Sequence, residues 1–423
     1  MYKNKLLILV LASVIFAQFT SSQNNTNSPY TRFGYGDISD TNNGEQRAMG
    51  GVAIGFRSNS SINTVNPASY SSVDSVTFMF DLGASALVSR FTNKTGAKTT
   101  LNANLEYLTM QFPLAKWLGF SAGALPYSFV GYEFNKRDSS YLYKDNLQKD
   151  TVRYNKYYNG TGGFSQVYVG LSARFLDHIS LGVNAYYMFG TINNYRSLIF
   201  DNSSYYSSSS VASIIRANDF RFRFGAQYYN TFNKKHALNL GLIYEPKIKL
   251  KGGFSQISNG VINDTIDSSH PNYNNYGFEL PSLFGVGLNY CYDNKLTVGV
   301  DYSIQQWKNA QFFSKTDSLG NRSKLAIGFE YIPNYRGRKY SDVIRYRAGF
   351  NMSDSYYKIN GQSLPKNFGL SLGIGLPLKE SKTMINTSFE FGKIGSTNLL
   401  NENYFKITFN ASFSEQWFFK RKL

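Results

Sequence analysis

The chain has 423 residues, a formal charge of +17 from 44 Lys and Arg against 27 Asp and Glu, and a single Cys. One Cys excludes an internal disulfide framework, and basic residues scattered over the whole length exclude a concentrated nucleic-acid-binding patch. The excess of Phe (34), Tyr (33) and Gly (36) suits β-strands with close backbone contacts and aromatic girdles better than a soluble enzyme.

In chain order, Lys3 and Lys5, the apolar run Leu6 to Ala17 and the small, polar stretch Thr20 to Gln23 form the three parts of a secretory signal. About twelve apolar residues cannot span a bilayer as a helix, which needs roughly twenty. Residues 1–22 are therefore expected to be a signal peptide, cleaved after Ala17 or Ser22. No comparable run follows, which excludes a helical membrane protein. Residues 23–73 are polar, rich in Asn, Ser and Gly, and hold no sustained two-residue period. Tyr30, Phe33, Tyr35, Met49, Val52, Ile54 and Phe56 favour a packed element there over a disordered tail. A plug, or hatch, for the structure that follows is the expectation.

Residues 74–423 alternate apolar and polar side chains. Leu296, Val298, Val300, Tyr302 and Ile304 interleave with Thr297, Gly299, Asp301, Ser303 and Gln305. Phe405 to Phe413, Leu101 to Tyr107, Phe220 to Ala226 and Leu370 to Ile374 repeat the pattern. A transmembrane strand alternates in this way because successive side chains face lipid and lumen. Strand centres fall near residues 82, 106, 122, 168, 184, 224, 241, 287, 300, 328, 348, 372, 387 and 408. The expected fold class is all-β: a transmembrane antiparallel β-barrel of about fourteen strands with an N-terminal plug. Short connections (114–117, 176–178, 230–235, 292–295 and 378–382) take turns with long polar ones (135–155, 193–213 and 252–273), as periplasmic turns do with outer loops. The connection 332–341 is longer than its place among the short ones predicts.

Two places break the period. In the third strand Leu118, Phe120, Ala122 and Ala124 hold one phase, Leu125-Pro126-Tyr127 intervenes, and Phe129 falls on the other. Proline cannot donate to a ladder, so a bulge, a kink or a gap in the wall is expected here. Glu245-Pro246 is the second break, at the outer rim of the seventh strand.

Asn66-Pro67-Ala68 ahead of the first strand, the kink-prone third strand, Phe278-Glu279-Leu280-Pro281, Asp301-Tyr302 and Trp307 come in an order that resembles the FadL-type long-chain fatty-acid transporter family of outer-membrane β-barrels. The resemblance covers essentially the whole mature chain. It implies a plug whose gate, Asn66, Pro67 and Ala68, meets the kinked third strand, with a lateral opening at Leu125, Pro126 and Tyr127. A hydrophobic ligand would then leave sideways, regaining about 0.8 kcal/mol per methylene in the bilayer. The chain departs from the family at its end, where Lys420-Arg421-Lys422-Leu423 follows Trp417-Phe418-Phe419 in place of a terminal aromatic.

Two functions follow as expectations. One is passive diffusion of hydrophobic small molecules or lipids, with lumen-facing Arg221, Arg223, Arg345 and Arg347 as anion contacts. Inward pairing with Glu106, Glu330 and Glu390 is the plainer role for those arginines. The other is an accessory barrel subunit of an outer-membrane protein secretion or assembly complex, with loop residues such as Tyr205, Tyr206 and 207–210 as a protein-binding surface. The excess positive charge suits anionic outer-membrane lipids, lipopolysaccharide included, and nucleic acid is not expected. His178, His236 and His270 lie far apart along the chain, and Cys291 has no ligand-spaced partner, so neither catalysis nor a metal or other cofactor is expected.

Overall fold

The computed structural model describes residues 25–416 except 95, 145–147, 202–206, 261–276, 360, 379–381 and 396–399. The expected signal peptide, His270, Tyr205, Tyr206 and the C-terminal Trp417 to Leu423 lie outside the described residues. Alternating residues form fourteen wall strands: β1 Thr77–Asn93, β2 Gly96–Ala115, β3 Leu118–Lys144, β4 Gln148–Phe175, β5 Ile179–Phe200, β6 Ser209–Phe232, β7 His236–Glu245, β8 Leu283–Tyr292, β9 Leu296–Gln305, β10 Arg322–Tyr331, β11 Arg345–Ser353, β12 Asn367–Pro377, β13 Met384–Gly395 and β14 Asn401–Gln416. Each expected strand centre falls inside one of them. Neighbours pair antiparallel, and β1 closes the ring on β14 from Thr77 opposite Gln416 to Thr92 opposite Asn401.

The period of two decides which face is wet. Leu101, Leu105, Val169, Leu242, Leu370 and Phe409 point outward and are more than half exposed, while Asn102, Asn184, Asp301, Ser371 and Asn410 point inward and are buried. At the short-turn end Leu176–Asp177, Asn233–Lys234 and Asp293–Asn294 each take two successive positive φ values, the two-residue turn that matches strand twist. The long connection after β10 folds on itself through a short helix, Tyr340–Val343, with Asn334 donating to the Asp342 carbonyl at 2.8 Å. Ile332 donates to Lys295 of the neighbouring turn at 2.8 Å, so its extra length covers the rim.

Two expectations are corrected. Residues 135–155 and 193–213, read as long loops, are largely strand: β3 and β4 run 27 and 28 residues, where roughly 9–11 suffice to cross a bilayer. Their polarity reflects water outside the membrane, and Tyr154, Lys156 and Tyr158 still pair with β3 there. Likewise Lys251–Gly260 continues the sheet beside β6 after the break at Pro246. The second correction is Tyr107, expected outward but only 3% exposed. A register slip between Gly83 and Ala84 puts Glu106 and Tyr107 on the same side, and the Tyr107 hydroxyl accepts from Gly44 N at 2.7 Å.

Residues 25–72 pack against the inward faces of these strands. Their elements are short: a 3-10 turn Pro29–Arg32, the extended pair Asp37–Ile38, helix α1 Gly44–Ala48 and a 3-10 turn Pro67–Ser72. Asn43 caps α1, and Gln46 returns a bond to Asn43 N, satisfying two helix-start donors that water cannot reach.

Candidate functional site

The lumen is the candidate site, and glycine sets how closely residues 25–72 approach its wall. A Cβ at Gly119, Gly182, Gly225, Gly241, Gly328 or Gly349 would overlap atoms of Tyr70, Pro67, Asn66, Ile54, Met49 or Gly50. Six strands thus receive the segment on a track of absent side chains.

Charge holds it there. Arg47 of α1 binds Glu106 of β2 at 2.8 Å, and Lys406 of β14 reaches the same carboxylate at 2.6 Å. Glu45 takes Arg347 at 2.6 Å and Arg345 at 3.3 Å. Asp301 of β9 accepts from Ala53 N and Ile54 N at 2.5 and 2.6 Å. Burial works to raise the Glu45 carboxyl, but Arg347 and Arg345 outweigh it and hold it below its usual value. Asp40 is lowered in the same way, by Lys324 at 2.6 Å and by Arg322 against the opposing effect of burial.

The four arginines singled out as anion contacts are engaged by the protein itself. Arg221 reaches Glu245 at 2.6 Å and Gln166 at 2.7 Å; Arg223 binds the same Glu245 and, at 3.1 Å, the Val65 carbonyl. Arg347 also donates to Glu330 and Asn386, each at 2.7 Å, and Arg345 lies 3.9 Å from Glu330. Glu330 is thus the one acid of the three weighed from sequence that pairs with these arginines. Glu390 instead accepts from Tyr404 at 2.8 Å. Glu45 and Glu245 were missed; strand phase places a charge in the lumen but does not say which distant residue meets it.

The wall changes at the predicted break. The β2–β3 ladder ends with Leu108 opposite Ala124, one residue before Leu125. Tyr127 bulges between the pairs Pro126–Ser165 and Ser128–Phe164, and Gly162 and Gly163 across from it take φ of +107° and +140°. The bulge inverts the phase: Leu125 and Tyr127 point inward, and so do Val130 and Tyr132 beyond it. Asp37–Ile38 fills the edge that β2 leaves, pairing with Phe129 and Ser128, and Ser39 N donates to the Tyr127 carbonyl at 2.9 Å. The Asn66-Pro67-Ala68 turn, expected at this break, sits elsewhere. Asn66 donates to Ile54 O at 2.8 Å and the Ala68 carbonyl accepts from Ser172 of β4 at 2.8 Å, while Pro67 lies on Gly182 of β5. An extended pair offers a broken edge the ladder groups it lacks, whereas the turn spends its own on itself and its neighbours.

Toward the long connections an aromatic cluster bridges the lumen, with Tyr35, Tyr132, Phe164, Phe278, Trp307 and Tyr356 at its heart. Tyr356 donates to the Gly36 carbonyl at 2.6 Å and accepts from Tyr35 N at 2.9 Å. Beside it lie two cavities of about 190 and 110 Å³, of mixed polar and apolar lining, that share Asp40, Arg322 and Lys324. Asp37, Glu390 and Glu402 line the larger, and Arg221, Arg223 and Glu245 the smaller.

A closed barrel of fourteen antiparallel strands, broken at β3 and carrying its N-terminal residues against the lumen wall, has the FadL-type architecture. A Pseudomonas aeruginosa FadL homologue superimposes with a TM-score of 0.60 over 90% of this chain and 99% of its own, at 12% identity. The Ralstonia pickettii toluene transporter TbuX gives 0.59 over 88% and 98%, at 13% identity. The P. putida toluene transporter TodX gives 0.56 over 91% and 99%, at 16% identity. These likenesses are of fold. The chain itself belongs to the BamG family, whose model matches residues 1–423. No curated protein matches it.

Proposed function

We propose that this BamG-family chain is an outer-membrane barrel that works closed, as a structural subunit of a larger outer-membrane complex for protein secretion or assembly. On this reading residues 1–22 are the export signal, residues 23–73 a fixed plug and residues 74–423 the barrel, without a catalytic role. One observation carries the reading: the lumen is occupied by a glycine-seated, ion-paired segment under an aromatic cluster, and the cavities left are small and carry charged groups in their lining. Hydrocarbon placed there would cost those groups their polar surroundings. The sheet that β3 to β6 carry beyond the membrane offers a partner an extended surface.

A second reading, passive uptake of hydrophobic molecules with lateral exit, draws support from the end of the β2–β3 ladder at Ala124. The shared fold with two proteins described as toluene transporters also favours it. Purification in a gentle detergent, coupled to uptake of labelled toluene and fatty acid into liposomes, separates the two. A stoichiometric protein partner with no uptake supports the closed subunit. A lone barrel whose uptake falls on replacing Pro126 by Ala, or on deleting the Asn66 turn, supports the conduit.

A further inference from the structure

On the outer wall the side chains of β6 run Phe220, Phe222, Phe224, Ala226 and Tyr228. Ala226 is the single small residue in that row, and it stands between Leu181 of β5 and Leu242 of β7. Ala226 lies in the floor of a shallow apolar concavity of about 730 Å³ over β5 to β9, bounded by Ile179, Tyr228, Leu242, Leu288 and Tyr302. Water has no place at this level of a transmembrane wall, so what fills the concavity is hydrocarbon or another apolar surface.

The turns that end the same strands point to which. Lys234 and Lys235 are exposed in the β6–β7 turn, and no ion pair engages either among the described residues. Lys295 in the β8–β9 turn lies 3.6 Å from Asp293. The two turns touch, Asp293 N donating to the Lys235 carbonyl at 2.6 Å. Between concavity and lysines stand Tyr228, Tyr290 and Tyr292, with His236 bonded to the Tyr290 hydroxyl at 2.7 Å. Tyr and Trp concentrate at the level where hydrocarbon meets head groups. From mid-wall to rim the order is therefore apolar notch, tyrosines, ammonium groups. A phospholipid presents its acyl chain, ester region and phosphate in that order.

We propose that β6 to β9 bind a glycerophospholipid with an anionic head group, one acyl chain lying over Ala226 and the phosphate meeting Lys234, Lys235 and Lys295. The site uses none of the lumen and stands whether or not the barrel is a closed subunit. Phosphatidylglycerol carries the net negative charge that the lysines complement; phosphatidylcholine has the same tails and no net charge.

Native mass spectrometry of the full chain, released from nanodiscs holding equal phosphatidylglycerol and phosphatidylcholine, tests this. The unaltered chain is expected to retain one phosphatidylglycerol in preference to phosphatidylcholine. Ala226→Phe sets a ring in the floor of the notch, where the acyl chain would lie, and is expected to cut retention of both lipids by about tenfold. Joint replacement Lys234→Gln, Lys235→Gln and Lys295→Gln is expected to abolish the preference while leaving tail-dependent retention. Folding of each variant is checked by its heat-dependent shift in electrophoresis. Equal retention of the two lipids by the unaltered chain, or undiminished phosphatidylglycerol on folded Ala226→Phe, overturns the proposal. Loss of a co-purifying protein from Ala226→Phe with lipid retention unchanged also overturns it and assigns the concavity to a protein partner.

Discussion

Arg347 shows what this lumen demands of a single residue. Its side chain has no exposure, and Glu45, Glu330 and Asn386 take its donors. Removing the guanidinium would leave Glu45 and Glu330 with Arg345 alone, 3.3 and 3.9 Å away, so the loss is expected toward the low end of the about 3–5 kcal/mol that breaking a buried pair costs. Arg347→Ala is expected to lower barrel stability by that amount in urea unfolding. Arg347→Lys, which keeps the charge but not the planar fork, should fall between. Equal stability of all three would remove the network from the account. The depressed carboxyls of Asp40 and Glu45 set a pH dependence. A carboxyl whose folded pKa lies below its unfolded value, about 4, contributes stability that is complete above the unfolded value and lost as pH falls through the folded one. Hydrogen exchange of residues 40–50, corrected for its intrinsic rate, should therefore stay slow from neutral pH down to about 5 and rise only below about 4. Acceleration already at pH 6 would contradict this. Strand phase identified Arg347 as inward-facing. Its partner Glu45 lies 302 positions away, beyond the reach of any local pattern.

At the scale of elements, the glycine track and the bulges decide how the segment lies against the wall. Gly241→Val would drive a side chain into the Ile54 carbonyl, whereas a Cβ at Gly96 meets open space. The first variant is expected to fold as a barrel but to expose residues near Ile54 to protease; Gly96→Val should match the unaltered chain. Protection at Ile54 in both would mean that the seat tolerates bulk. Pro126 was legible because proline withdraws a ladder donor by its own chemistry. The slip at Gly83 left a trace in the sequence that the regular reading passed over: Leu101, Ala103 and Leu105 give way to Leu108, Met110 and Phe112 on the other phase across Tyr107, whose ring packs over Gly83. The strands beyond the membrane were misread as loops because polarity marks where water is, and water wets a protruding sheet as readily as a loop.

For the whole molecule the consequence is a closed wall around a filled interior. Planar bilayers holding the full chain are expected to show no channel steps. Deleting residues 25–72 removes Arg47 and Glu45, partners of Glu106 and Arg347, together with the segment that lies on the track and the Tyr30 and Tyr35 share of the aromatic cluster, and should produce discrete steps; silence in both would mean that the wall residues close the lumen without the segment. The sequence by itself determined the class of wall, its fourteen strands, which side chains face lipid wherever a strand holds one phase, and the break at Pro126. Each of these is a local property, set by a period of two or by one residue's missing donor. Only the tertiary structure decided that Asp37–Ile38 meets the break, that the arginines are bound to the protein's own carboxylates, and that the lumen is full. Those are contacts between residues hundreds of positions apart, and a closed ring brings them together only when every strand is in place.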